Sequence, residues 1–225
     1  MSAVRTGPPH PWLKPGVFAG ALVPLATIVA RAATGSLGAD PIAEGLNLLG
    51  LVALVFLVAS LACTPLKSIF GWTWPIRIRK ELGLLAFFYA LLHVSTYTGL
   101  DQSFHIRAIL ADVWKRKFIF VGFVAFVLLV PLAATSTQAA VRRLGFVRWK
   151  RIHRLAYLAA CLGTVHFLWR VKRDLREPLI YAAALGFLLL VRAVVAARSR
   201  LTSRARAMDG ARDRRRVSPP TESFP

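Results

Sequence analysis

The chain has 225 residues, of which 56% are hydrophobic, and it carries a formal net charge of +20. Soluble domains are usually about 45–50% apolar, so this excess indicates that lipid is part of the solvent. The basic residues lie between long apolar runs and in the C-terminal tail rather than on a soluble face, which argues against nucleic-acid binding and favours a membrane protein with cationic loops.

Six apolar stretches approach the length of about 20 residues that a helix needs to cross a bilayer. Because backbone groups in lipid must satisfy their own hydrogen bonds, each stretch is predicted to be a helix. The predicted fold class is therefore all-α, an integral membrane bundle of six transmembrane helices. The predicted spans are 17–30, 46–66, 82–100, 118–134, 152–169 and 179–197.

Loop charges predict the orientation of these spans. The segments on the same side as the N-terminus hold about twice as many Lys and Arg as those on the opposite side, which places both termini in the cytoplasm. Residues 1–16 are then a cytoplasmic N-terminus that leads into an uncleaved first span, and 17–197 form the transmembrane domain. Residues 198–225, rich in Arg, Ser and Pro, are expected to be a disordered basic cytoplasmic tail that can lie on anionic lipid.

Three of the five histidines fall within predicted spans, where ionisable side chains are rare and usually functional. They are His93, His153 and His166. Neutral imidazole is a good axial ligand for heme iron and needs no compensating charge in lipid. From the helical rise, His93 lies about 18 Å and His166 about 22 Å from the cytoplasmic starts of their helices, whereas His153 is only about 2–3 Å deep. We therefore expect His93 to pair with His166.

The residues alone leave alternatives open. On an ideal helix His153 and His166 are roughly 140° apart, so they face different helices unless the helix is distorted, for example near Gly163. The histidines could also form interhelical hydrogen bonds or a proton path without any cofactor. No Asp or Glu lies within the predicted spans to complete a proton relay.

Several stretches in order resemble the MsrQ (YedZ) family, the heme-binding membrane subunit of the protein-methionine-sulfoxide reductase system, within the ferric-reductase-like transmembrane superfamily. The similarity covers roughly residues 13–197, with the Arg-rich tail as the clear departure. The matching stretches are GSLGADP at 35–41, RKELGL at 79–84 before Leu92-His93, ATSTQ at 134–138, WKRIHRLAY at 149–157, HFLW at 166–169 and EPLIY at 177–181.

This resemblance implies a bacterial inner-membrane protein that binds heme b through His93, His153 and His166. It also implies FMN as a second cofactor. It implies that electrons arrive from the quinone pool or a cytoplasmic flavin reductase. They would leave to a periplasmic molybdopterin subunit that reduces methionine sulfoxide in damaged envelope proteins. The chain itself is then a non-catalytic electron-transfer subunit. The alternatives are a stand-alone transmembrane metalloreductase, which normally needs a fused flavin and nicotinamide domain, and a cofactor-free proton-coupled transporter.

Four arginines surround the predicted cytoplasmic mouth near His153. Guanidinium groups bind carboxylates and phosphates bidentately, so these residues are candidates to pair with heme propionates or an FMN phosphate. The alternative is that they only set the orientation of the chain. They are Arg77, Arg79, Arg151 and Arg154, and Arg154 is the strongest candidate because it adjoins His153.

Overall fold

The computed structural model describes residues 11–171 and 174–217, except for the side chains of residue 200 and residues 203–217. Throughout this part of the chain the regular structure is helical. The helices are α1 Leu13–Ala33, α2 Pro41–Phe70, α3 Trp74–Thr96, α4 Ile106–Lys115, α5 Lys117–Ala134, α6 Gln138–Leu144, α7 Phe146–Ile152, α8 Leu155–Arg170 and α9 Arg176–Val217, and a π-helical turn Tyr97–Asp101 extends α3.

Local sequence signals fix both ends of α2, which contacts α1, α3, α8 and α9. Asp40 caps its N-terminus by accepting a hydrogen bond from the Ala43 amide at 3.0 Å, and Pro41 occupies the first helical position. At the other end Gly71 adopts a left-handed conformation with φ of 72°, which a residue with a Cβ rarely takes. The chain then turns directly into α3, so α2 and α3 form an antiparallel pair.

Contacts between helices establish the topology of the bundle. Along α3, Arg79 meets Ser60 of α2 and His93 meets Leu46, so these two helices run in opposite directions. The helices α5 and α8 form a second antiparallel pair. The helix α9 runs against α8 and α2, and α1 packs along α3. The core between the two pairs contains Leu61, Ala86 and Ala160, which have almost no solvent exposure.

This topology gives the bundle two distinct ends. We call one of them the basic end: it contains the start of α1, the α2–α3 turn, α6, α7 and the second half of α9. The opposite end contains the α1–α2 loop, the π-helical turn, α4 and the end of α8. His93 and His166 lie towards the opposite end, whereas His153 lies at the basic end.

Five helical segments are long and apolar enough to cross a membrane, namely Leu13–Ala33, Pro41–Phe70, Trp74–Asp101, Lys117–Ala134 and Arg176–Ser199. They correspond to five of the six predicted spans. The remaining one, 152–169, corresponds to α8, which has only 16 residues and therefore extends about 24 Å. It is shorter than predicted because the chain makes a turn at His153 and Arg154 before α8 begins. A multi-pass helical membrane protein is confirmed, and the count of six stays a prediction.

The basic tail differs from the sequence expectation. The helix α9 continues to Val217 instead of ending near residue 197, so residues 198–217 are helical rather than disordered. Arg and Ala, which make up 11 of these 20 residues, are strong helix formers, and helix formation does not require that they bury a core. Residues 1–10 and 218–225, which belong to the predicted N-terminal segment and tail, lie outside the described residues.

Candidate cofactor site

Two imidazole rings meet in the interior between the two antiparallel helix pairs. His93 projects from α3 and His166 from α8, and their ring centres are 6.2 Å apart with an angle of 81° between the ring planes. The expected pairing of these two residues by depth therefore agrees with their placement. Their proximity requires α3 and α8 to face one another, with α2 behind His93 and α5 behind His166.

Each imidazole is held by a backbone carbonyl of the helix behind it. Nδ1 of His93 donates to the Leu46 carbonyl at 2.8 Å, and Nδ1 of His166 donates to the Phe118 carbonyl at 2.7 Å. A carbonyl oxygen can only accept, so Nδ1 carries the proton in both rings. In a neutral ring this leaves the lone pair on Nε2. A metal-ligating histidine is usually oriented in this way, by donation from its other nitrogen.

Two glycines provide the space for these hydrogen bonds. Gly50 follows Leu46 by four residues on α2, and Gly122 follows Phe118 by four residues on α5. A Cβ at Gly50 would lie 3.1 Å from Nδ1 of His93, and one at Gly122 would lie only 2.5 Å from Nδ1 of His166. The same arrangement thus occurs twice: a glycine exposes the carbonyl one turn earlier to the histidine of the partner helix.

The separation of the rings fits a single metal ion between them. A metal–imidazole bond is about 2 Å long. Since the ring centre lies about 1 Å beyond the nitrogen, two rings on opposite sides of one ion have centres about 6 Å apart. Among the described residues no group of three or more His, Cys, Asp or Glu could hold a metal ion. A donor set of two imidazoles suits heme, whose macrocycle supplies the other ligands.

His153 lies apart from this pair, at the basic end. It terminates α7, where its ring stacks on Trp149 with centres 4.0 Å apart and its Nδ1 donates to the Trp149 carbonyl at 3.1 Å. Trp149 is itself fixed, because its indole N–H donates to the Thr135 carbonyl at 3.0 Å. His153 therefore precedes α8 instead of lying inside a span, which corrects the sequence-based placement.

The turn at His153 and Arg154 also corrects the expectation that the helix is distorted near Gly163. Gly163, suggested as the place of a bulge between His153 and His166, lies inside a regular part of α8. The chain instead departs from helical hydrogen bonding at His153 and Arg154. The two histidines are thus carried by different helical segments, and a periodicity calculated along one ideal helix does not apply to them.

Among the four candidate arginines, Arg79 lies near His153. It is half-buried, interacts electrostatically with His153, and donates to the Thr64 hydroxyl at 3.4 Å. Arg77, Arg151 and Arg154 are exposed. Arg154, the strongest candidate from sequence, immediately precedes α8 with its side chain at the surface.

Sequence reasoning missed two charged residues inside the bundle. Arg192 lies in the middle of the apolar part of α9, and it donates to the Leu61 carbonyl at 2.7 Å and to the Tyr157 hydroxyl. Glu81 of α3 is buried and pairs with Lys14 at 2.6 Å. Arg192 was recognisable, because it is an isolated charge in a predicted span. Glu81 precedes its predicted span by one residue, so only the longer observed helix places it inside.

Comparison with known protein families gives a match that includes part of this site. Residues 45–164 match the family described as ferric reductase like transmembrane component. The matched segment contains Gly50, His93, Gly122 and His153, and it ends two residues before His166.

Individual relatives are similar over most of the chain. A protein of Rhodospirillum rubrum is 53% identical over 189 residues, which cover 84% of this chain and 91% of the relative. A protein of Deinococcus radiodurans is 48% identical over 194 residues, or 86% and 96% of the two chains, and one of Herminiimonas arsenicoxydans is 45% identical over 195 residues, or 85% and 89%. Each is named protein-methionine-sulfoxide reductase heme-binding subunit MsrQ.

Proposed function

Because this chain belongs to the MsrQ family of ferric-reductase-like membrane proteins, we propose that it is a heme b electron-transfer subunit of a protein-methionine-sulfoxide reductase system. The observation that carries the proposal is the pair formed by His93 and His166, with both Nδ1 atoms held by backbone carbonyls. The names of the relatives specify a heme-binding subunit and the reductase system.

In this proposal His93 and His166 would hold one heme. The bound heme supplies reversible one-electron transfer. The chain orients both imidazoles through the Leu46 and Phe118 carbonyls and excludes water from the interior between the two helix pairs. Since His93 belongs to the α2–α3 pair and His166 to the α5–α8 pair, the relative position of the two helix pairs sets the distance between the two imidazoles. The chain itself makes and breaks no bond of the final substrate.

We propose His153 as the ligand of a second redox group at the basic end. Its Nδ1 is held by the Trp149 carbonyl, which leaves Nε2 as the donor atom. Arg79 lies nearby and can pair with an anionic part of that group, a heme propionate or an FMN phosphate. The exposed residues Arg77, Arg151 and Arg154 can contribute to the same anion site from the surface.

The direction of electron flow follows from the orientation we propose. The basic end faces the cytoplasm and the protein lies in the bacterial inner membrane, because basic loops are retained on the cytoplasmic side. Electrons then enter from the quinone pool or a cytoplasmic flavin reductase near His153. They leave near His166 to a periplasmic molybdopterin-containing methionine-sulfoxide reductase that repairs oxidised envelope proteins.

The test is a reduced-minus-oxidised visible spectrum of the detergent-purified protein, with heme quantified as the pyridine hemochrome. His93→Ala and His166→Ala should each abolish most of the b-type signal of the inner site. His153→Ala should leave that signal and remove a second component. His105→Ala is the matched control, because His105 is an exposed histidine preceding α4. A colourless wild-type protein after expression with ample heme would exclude this function and favour a cofactor-free transporter.

A further inference from the structure

An open groove of about 410 Å³ lies on the flank of the bundle, between the end of α2 and α9. Its polar lining comes from Thr64 and Ser68 of α2, Tyr157 of α8 and Arg192 of α9, and Leu189 and Val195 are among its apolar walls. It lies in the half of α9 that leads to the basic end. Since the second half of this span carries exposed apolar side chains such as Leu190 and Val194, the groove opens towards lipid.

Arg192 gives this groove an uncompensated positive charge. One terminal nitrogen donates to the Leu61 carbonyl at 2.7 Å, and the other donates to the Tyr157 hydroxyl, whose ring centre lies 5.0 Å from the guanidinium carbon. Nε is buried and has no hydrogen-bond acceptor among the residues described. Both partners are formally neutral, so they orient the guanidinium without neutralising it.

A second guanidinium strengthens the positive potential. Arg79 interacts electrostatically with Arg192, and it donates to the hydroxyl of Thr64, which also lines the groove. In the part of the chain whose side chains are described, the ion pairs are Lys14–Glu81, Arg31–Glu44 and Arg116–Asp112, and none includes Arg79 or Arg192. A cation next to lipid is costly unless an anion accompanies it.

We propose that this groove is a binding site for one anionic phospholipid. Its phosphate pairs with Arg192 and accepts a hydrogen bond from the Thr64 hydroxyl, and an acyl chain follows the apolar wall formed by Leu189 and Val195. A lipid phosphate supplies the negative charge that Arg192 lacks, and guanidinium binds phosphate with matching geometry. A neutral quinone fits the apolar walls equally well but leaves the charge uncompensated.

The probe is phosphatidylglycerol, compared with phosphatidylcholine of the same acyl chains, added to the delipidated full-length protein in detergent. Bound lipid is counted by native mass spectrometry. We expect one phosphatidylglycerol to bind in preference to phosphatidylcholine. Arg192→Gln should weaken this binding by about fivefold or more, as expected for the loss of one guanidinium at a lipid headgroup. Arg198→Gln, in an exposed position on the same helix, should not weaken it.

A second variant separates lipid binding from folding. Val195→Trp fills the groove from an exposed position and leaves Arg192 intact, and it should also expel the lipid while the protein keeps its heme spectrum. The proposal is overturned if both lipids bind equally or if binding survives both variants. It is also overturned if inorganic phosphate alone displaces the lipid fully, or if the groove retains a quinone instead. Loss of heme in Arg192→Gln without loss of lipid would assign the arginine to a cofactor carboxylate and likewise exclude the lipid site.

Discussion

Two residues without a side chain, Gly50 and Gly122, lie directly against the histidine pair. Placing a Cβ at Gly122 would bring it 2.5 Å from Nδ1 of His166, a distance that real structures do not tolerate, whereas at Gly50 the corresponding distance to His93 is 3.1 Å. A Cβ is therefore accommodated less well at position 122 than at position 50. The α5–α8 half of the site has no space for a Cβ, whereas in the α2–α3 half His93 would have to shift by only a few tenths of an ångström.

We accordingly predict that Gly122→Ala weakens heme binding by about tenfold or more, since displaced second-sphere partners typically cost that much in metal affinity. Gly50→Ala should have a smaller effect in the same direction. An alanine normally stabilises a helix interior by about 1 kcal/mol relative to glycine, so the loss would not come from the helix itself. Titration of the apoprotein with heme measures the change in heme affinity. Gly186→Ala is the control, because nothing lies within 4 Å of a Cβ at that position. Equal affinities for Gly122→Ala and Gly186→Ala would contradict the role assigned to Gly122.

At the scale of elements, α1 is attached to α3 by polar contacts between largely apolar helices. Lys14 at the start of α1 pairs with the buried Glu81, and the Tyr89 hydroxyl of α3 donates to the Ala21 carbonyl. The second carboxylate oxygen of Glu81 is buried without a hydrogen-bond partner in the described part of the chain. Lys14 is thus the main compensation for this buried charge, although its own side chain is 58% exposed.

Lys14→Ala should destabilise the protein by about 1–2 kcal/mol, because it leaves a buried carboxylate unpaired at a partly solvated site. Replacing Glu81 by Gln in the Lys14→Ala background should recover part of this loss, since a neutral amide needs no counter-charge. The free energy of unfolding in mild detergent is measured for the wild type, Lys14→Ala, Glu81→Gln and the double variant. This double-mutant cycle gives the coupling free energy between Lys14 and Glu81. Strictly additive effects would show that the pair does not anchor α1.

For the molecule as a whole, the two ends of the bundle should face opposite compartments. Ala139 of α6 lies at the basic end and Ala108 of α4 at the opposite end, and both are exposed. In a background without Cys63 and Cys161, we predict that a membrane-impermeant maleimide labels Ala108→Cys in intact spheroplasts. Ala139→Cys should be labelled only after permeabilisation. The reverse pattern would place the basic end outside and would refute the proposed direction of electron flow.

Sequence reasoning succeeded where geometry follows from a fixed repeat along the chain. The pairing of His93 with His166 was predicted from depth alone, because every helical residue advances by the same distance. The approximate positions of five apolar helices followed equally from bilayer thickness, whereas the sixth predicted span corresponds to the shorter helix α8. Its start depends on a turn at His153 and Arg154, and neither residue type signals a helix break.

The remaining features depend on which helices meet. Nothing in the sequence marks Gly50 or Gly122 as special until His93 and His166 are known to lie against them. Arg79 was one of four candidate arginines, among which the sequence favoured Arg154, and only packing places Arg79 near His153. The helical tail shows a different limit: a composition that cannot form a core was interpreted as disorder, although Ala-rich and Arg-rich sequences favour an isolated helix.

The use of main-chain carbonyls to hold the imidazoles has a consequence for how this site can vary among relatives. An acceptor that belongs to the peptide bond is present whatever residue occupies positions 46 and 118, so these two hydrogen bonds do not depend on the side chains there. The requirement for a particular residue type applies instead one turn later, at Gly50 and Gly122. Ligand orientation in this bundle is thus insensitive to mutation at the residues that provide it and vulnerable at the glycines that merely make room.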